Sequence, residues 1–262
     1  GGTNDCHATI VKWQKLFPTL REIKTKNVNL ATSRNIGLPQ CKGDIILQTD
    51  DDAEPFPNWI ERLIDEHQKH PEAGVIGGNV VDASGKGLIF KIADATTFTH
   101  FNEENYCETM TVPGVNSSYK RDTIEKVGGY DTEMFRGEDV DYNWRCIKAG
   151  YKVLSFPDIK VYHHHRATWR GLYNQQYMYG RAYLLVRRKW KDMYCCYPHG
   201  IYNLRDFAKF CYFCLVPFVD QAHKLKHVKG FFNKLIAYPI MVTIGYNWHR
   251  GVLVQYFKEL KK

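Results

Sequence analysis

No run in this sequence reaches the roughly 20 apolar residues that a bilayer-spanning helix needs. The two richest stretches, Phe207 to Val219 and Leu235 to Trp248, fall short and are interrupted by Pro217 and Pro239. No apolar leader stands at the front, and the first residue is glycine rather than methionine. The eight cysteines therefore read as free thiols of a reducing compartment and not as a disulfide framework. Cys211 and Cys214 stand at the Cys-x-x-Cys spacing that can hold zinc, but they lie in an apolar run, where thiols pack as small hydrophobes, and Cys195 and Cys196 are neighbours without ligand spacing, which argues against a zinc site. A glycine-rich phosphate loop is missing too, since no helix start follows Gly77-Gly78. Wholesale disorder is excluded by 44% hydrophobic and 14% aromatic content.

Acidic residues are scarce in the rear of the chain. Residues 151–262 carry 19 Lys/Arg against 5 Asp/Glu, whereas 1–150 carry 17 against 23. An acidic front and a basic, aromatic rear imply two tasks, the rear preferring an anionic surface such as membrane phosphate or nucleic acid. No recognition motif supports nucleic acid. Amphipathic basic helices lying in the headgroup layer fit the rear, against the plainer alternative of a helical subdomain packed on the core.

What is present centres on Gly43 to Asp52. Ile45, Ile46 and Leu47 read as a buried strand of a parallel sheet. Asp50, Asp51 and Asp52 then fall at its carboxyl end, where open α/β sheets bind ligands. Clustered carboxylates repel unless a cation or hydrogen-bond donors compensate them, and hard oxygen ligands suit Mg2+ or Mn2+. The alternative is a solvated acidic turn.

Along the chain, Gly1 to Asp5 has a turn composition with no strand before it, which predicts an N-terminally truncated sheet. Ala8 to Phe17 has helical spacing, and Leu20 to Val28 alternates loosely as a strand would. Asn29 caps a helix that carries Arg34, which serves either as a phosphate or base clamp or as an exposed helix charge. A helix follows Pro57, with Trp59, Ile60, Leu63, Ile64 and His67 buried and Glu61, Arg62, Asp65 and Glu66 solvated. Ala73 to Val81 reads as a buried strand, and residues 82–110 as a surface loop or lid. Residues 112–118 lead into a helix ending at Gly128-Gly129. Gly137 opens another, with Glu138 and Asp139 in its first turn, Val140, Trp144 and Ile147 on its buried face and Gly150 as its stop. Those two carboxylates serve either as dipole partners or, in a pocket, as a general base. Tyr151 to Phe156 and Ile159 to His165 predict two strands split by Pro157-Asp158. His163 and His165 then share one face with His164 on the other, as a metal-facing pair or a polar strand end. Arg170 to Trp190 predicts a long helix.

Arg34-Asn35-Ile36-Gly37, the triplet at 50–52, Gly114-Val115-Asn116, Gly128-Gly129-Tyr130-Asp131 and Gly137-Glu138-Asp139-Val140-Asp141 occur in an order and spacing that resembles the family 2 glycosyltransferases. The likeness covers about residues 1–190. It implies a GT-A-type, Rossmann-like mixed α/β sheet flanked by helices over residues 1–169. Residues 170–262 would form a basic, aromatic helical extension. It also implies inverting transfer of one sugar from a nucleotide-diphosphate sugar to the hydroxyl of a glycan or lipid-linked acceptor. Cell-surface glycan or glycolipid synthesis at the cytoplasmic membrane face would be the setting.

The same resemblance implies roles. Thr3 and Asp5 match the tail of a nucleotide-binding turn whose leading Asp would precede Gly1. Arg34, Asp50 and Asp51 approach the nucleotide sugar, while Asp52 and His163 hold Mg2+ or Mn2+, the choice among His163, His164 and His165 staying open. Asp139 matches the catalytic base with Glu138 beside it, and Gly114, Asn116 and Trp144 fall in the acceptor region. The family's first two strands are absent, and so is the Gln-x-x-Arg-Trp motif of processive synthases, which favours single-sugar transfer. Two other readings use the same residues: a metal-dependent hydrolase of a phosphorylated or nucleotide-linked substrate, and a catalytically silent membrane-associated adaptor.

Overall fold

A computed structural model of the chain describes residues 6–26, 28–83, 85–98, 105–193 and 203–259. In chain order the elements are α1 (His7–Gln14), α2 (Leu30–Gly37), β1 (Ile45–Gln48), β2 (Ala53–Pro55), α3 (Trp59–Lys69), β3 (Ala73–Asp82), α4 (Leu88–Thr97), β4 (Cys107–Glu108), β5 (Ser117–Lys120), α5 (Arg121–Val127), α6 (Glu138–Lys148), β6 (Lys152–His163), α7 (Trp169–Lys189), α8 (Leu204–Lys224) and α9 (Phe231–Glu259).

The sheet is mixed, in the order β1-β5-β3-β6-β2, with β4 also on β6. Among the described strands only β3 and β6 run parallel; β1 is antiparallel to β5 and β2 to β6. The parallel pairing expected of β1 is thus replaced by a partner, β5, that the polar sequence Ser117-Ser118-Tyr119-Lys120 concealed. Because β1 and β2 lie at opposite edges, residues 49–52 carry the chain across the sheet end. His163, Asp82 and Ala53 are in register at that same end.

The two strands predicted around Pro157-Asp158 are one. Gly78 pairs with Phe156 and the next residue, Asn79, with Lys160, so residues 157–159 bulge out and absorb the proline. Leu20 to Val28 forms no strand among its described residues, and Leu20, Ile23 and Val28 stay exposed: alternation is insufficient without a neighbouring strand. Helix α1 buries none of its residues. Residues 82–110 are not merely a loop, since α4 is buried and joins Leu172, Ala237, Met241 and Ile244 in a cluster shared with α7 and α9.

Two helix faces differ from expectation. In α3, Glu66 is buried and Ile60 exposed, because Arg62 at 2.8 Å and Lys69 at 3.0 Å neutralise the carboxylate. In α6, Glu138, Asp141, Tyr142, Asn143 and Cys146 are buried, while Val140 and Trp144 pack against α7. That helix is covered on both sides, so a single apolar stripe does not describe it. Cys211 is exposed rather than packed, and Cys195 and Cys196 lie outside the described residues. Helices α7 and α9 approach so closely at Gly180 and Gly251 that a Cβ at either position would collide with the facing backbone.

Candidate active site

The sheet end collects the residues that sequence reasoning singled out. Gly137 caps α6 with φ 78°, a left-handed conformation that favours glycine, and turns Glu138 and Asp139 toward the triplet. Asn29 caps α2 by accepting from the Thr32 N–H at 2.9 Å, fixing the helix that carries Arg34. Arg34 is not an exposed helix charge. Its side chain is only 10% exposed, its Nη1 donates to Glu138 Oε1 at 2.6 Å, and its Nη2 lies 3.7 Å from Asp50 Oδ1. Burial opposes that cation, but Tyr130, Glu138 and Asp139 outweigh it and keep the guanidinium charged.

Around this clamp the carboxylates differ. Burial raises Asp50, chiefly against the pull of Arg34. A hydrogen bond from His163 lowers Asp52. Burial, and then the neighbouring Asp139, raise Glu138. Asp139 Oδ2 accepts from the Gly114 N–H at 3.1 Å, and its Oδ1 from the Val140 N–H at 2.8 Å. A Cβ at Gly114 would sit 3.1 Å from Arg34 Nη2 and 3.2 Å from both Asp139 Oδ2 and Gln48 Nε2. Glycine there lets α2, β1 and α6 meet at one point.

Asp50, Asp52 and His163 offer ligand atoms that all lie within 4.8 Å of one another, and His163 Nε2 is 3.3 Å from Asp52 Oδ1. Two carboxylates and an imidazole form a donor set that fits Mg2+ or Mn2+. His163 and His165 are both buried on one face, while His164 points out to Glu54 at 3.2 Å. Asp51 is exposed and outside the cluster. Thr3 and Asp5 lie outside the described residues.

Two residues expected in the acceptor region have packing partners. Asn116 is fully buried; its Nδ2 donates to the Asn79 carbonyl at 2.9 Å and the Ile159 carbonyl at 3.0 Å, and its Oδ1 accepts from Trp59 Nε1 at 2.8 Å. It satisfies carbonyls beside the β6 bulge and has no face for a substrate. Trp144 packs with Met134, Val186 and Met193 between α6 and α7, an apolar contact that explains why an aromatic stands there. Sequence reasoning missed Gln48. Its Nε2 donates to the Gly114 carbonyl at 2.7 Å, and its Oε1 accepts from the Tyr130 hydroxyl at 2.9 Å. Its alternation with Ile46 on β1 was the available signal: a polar residue on the buried face, next to the triplet.

A mixed sheet with paired carboxylates at its end, an acidic helix start across from them and a helical extension define a GT-A-like fold. A family profile described as "Glycosyl transferase family group 2" matches residues 45–248, and the chain belongs to that family. Glucosyl-dolichyl phosphate glucuronosyltransferase of Haloferax volcanii is 34% identical over 119 residues, which is 44% of this chain and 38% of that protein. Pre-mycofactocin glycosyltransferase of Mycobacterium tuberculosis is 28% identical over 156 residues, 57% of this chain and 33% of that one. The chain thus spans about a third to two fifths of the length of these relatives. Mannosyltransferase PcManGT from Pyrobaculum calidifontis, solved with GDP-Man and Mn2+, superposes with a TM-score of 0.61 over 98% of this chain and 76% of its own, at 15% identity. That likeness establishes the fold.

Proposed function

We propose that this chain transfers a single sugar from a nucleotide-diphosphate sugar to an acceptor hydroxyl with inversion. The reading rests on one observation: Arg34 reaches both Asp50 of the Asp50–Asp52–His163 cluster and Glu138, and the Gly114 N–H holds Asp139 beside them, so the cluster and Asp139 meet at one end of the sheet. Asp50, Asp52 and His163 would hold the cation, and a relative of the same fold solved with Mn2+ supports that role. A bound divalent ion supplies Lewis-acid charge against the leaving diphosphate. Asp139, fixed by two backbone N–H groups, takes the proton of the acceptor hydroxyl while the acceptor's own oxygen bonds to the anomeric carbon. The bond from that carbon to the diphosphate oxygen breaks on the opposite face. Arg34 compensates Glu138 beside the base and so keeps two adjacent carboxylates from sharing a proton.

Arg34, Asp50 and Asp51 take the nucleotide side in this reading, with Thr3 and Asp5 completing it. Gly114 acts on the acceptor side through Asp139. Residues 1–169 carry the chemistry and 170–262 form the extension. A lipid-linked or glycan acceptor fits the glucosyl-dolichyl phosphate after which the Haloferax relative is named, and the cytoplasmic membrane face is the setting we propose for it. No helix among the described residues is long and apolar enough to cross a membrane.

The test is Asp139→Asn in the full chain. Transfer to added lipid-linked or glycan acceptors should vanish, while GDP-mannose or UDP-glucose with Mn2+ still raises Tm. Undiminished transfer removes Asp139 from the mechanism. Metal-dependent release of free sugar with no transfer to any acceptor favours a hydrolase instead.

A further inference from the structure

The outer faces of α8 and α9 are apolar, the reverse of a helix that packs its stripe inward. On α8, Leu204, Ala208, Cys211, Leu215 and Ala222 line one side of the helix, flanked by Phe207 and Phe218 on one edge and Tyr212 and Val219 on the other; all are exposed. The inward side holds Gln221 and Pro217, both buried. Over the first four turns of α9 the exposed residues are Phe231, Phe232, Leu235, Ile236, Pro239, Thr243 and Tyr246. Lys234 is the only charged residue there, and it lies on another side of the helix. Phe231 and Phe232 are each 77% exposed, and Leu204 is 81% exposed.

The two faces are continuous. Phe218 and Tyr246 meet edge-on with ring centroids 5.5 Å apart, and the Tyr238 hydroxyl donates to the Phe218 carbonyl at 3.2 Å. Cations frame the surface. Arg205 and Lys209 are exposed on α8, and Lys226 and Lys229 are exposed in the turn that leads to α9. Asp220 is neutralised by Lys224 at 2.8 Å.

We propose that this joined face of α8 and α9 is the surface by which the protein lies on an anionic lipid bilayer. The aromatic and aliphatic side chains enter the headgroup boundary, and the Lys/Arg rim meets lipid phosphate. Sequence alone pointed to amphipathic basic helices lying in the headgroup layer. The exposed apolar residues do the inserting here, and the cations stay at the edge. A second copy is the poorer occupant, because pairing this face with itself sets one cationic rim against another. The inference deepens the reading of a lipid-linked acceptor on which it rests, since such an acceptor is presented at that surface.

Vesicle flotation of the full chain tests it. The protein should float with equimolar phosphatidylcholine and phosphatidylglycerol, and far less with phosphatidylcholine alone. Leu215→Glu combined with Leu235→Glu, both at exposed sites, should lower partitioning at least about tenfold. Lys226→Glu with Lys229→Glu should remove the preference for phosphatidylglycerol. Circular dichroism melts and the Tm shift with GDP-mannose or UDP-glucose and Mn2+ should match the parent in both variants. Failure of the parent to float, or equal floating of the Leu215→Glu/Leu235→Glu variant, overturns the proposal. So does a parent dimer in sedimentation velocity that does not float and that the same variant dissociates. Floating without any nucleotide-sugar shift leaves the surface standing and sinks the glycosyltransfer reading instead.

Discussion

Replacing Arg34 with methionine isolates the clamp at the centre of the site. The change keeps the side chain's length and removes its charge, leaving Glu138 buried without the partner that now stands 2.6 Å away. Removing one member of a buried ion pair costs about 3–5 kcal/mol when the other stays charged. Glu138 has an escape, which is to bind a proton. From an ordinary value of 4.5, neutralising the carboxyl at pH 7 costs about 3 kcal/mol, at roughly 1.4 kcal/mol for each unit of pH. Arg34→Met should therefore lose about 3 kcal/mol in urea unfolding at pH 7. The sign with pH follows. A carboxyl whose folded value exceeds its unfolded one binds more protons when folded, so its penalty shrinks as pH falls. At pH 5 the loss attributable to Glu138 should drop below about 1 kcal/mol. Arg34→Met combined with Glu138→Gln should recover most of the stability at pH 7, because an amide needs no counterion. The reasoning fails if Arg34→Met loses under about 0.5 kcal/mol. It also fails if its loss is the same at both pH values, or if the double variant is no more stable than the single one.

Three other outcomes follow from the same geometry. Asp52→Ala should weaken Mn2+ binding at least about tenfold by titration calorimetry, and unchanged affinity places the metal elsewhere. Gly114→Ala should depress kcat with the fold intact, since its Cβ meets Arg34, Asp139 and Gln48 at 3.1–3.2 Å; full activity means that the base tolerates displacement. His67 Nε2 lies 2.9 Å from Ser118 Oγ, and burial, with Lys120 adding, lowers its pKa to about 4. The unfolded chain binds that proton first, so stability should fall by about 3 kcal/mol as pH drops from 6.5 toward 4. His67→Gln should flatten that part of the profile, and parallel profiles contradict the assignment.

Local composition fixed much of the outline. Asn29 and Gly137 mark helix starts by their chemistry, and both helices begin there. The run Ile45 to Leu47 followed by three aspartates announced a strand with a charged end, because burial and turn preferences act over a few residues. The face of the histidine run also followed from period-two alternation, with His163 and His165 inside and His164 outside. Pairing was not legible. That β1 joins β5, that Pro157 sits in a bulge and not a break, and that Glu66 is buried all depend on partners distant in sequence.

The sequence by itself determined which residues carry charge, where helices start and which short segments must be covered. Only the tertiary structure decided what each charge faces. Arg34 and Glu138 are 104 positions apart, and Asn116 fills a gap opened by residues 157–159. It likewise decided that the apolar side of α8 and the start of α9 turns outward. Periodicity tells how a helix divides its surface, but which half is left uncovered depends on what packs against it.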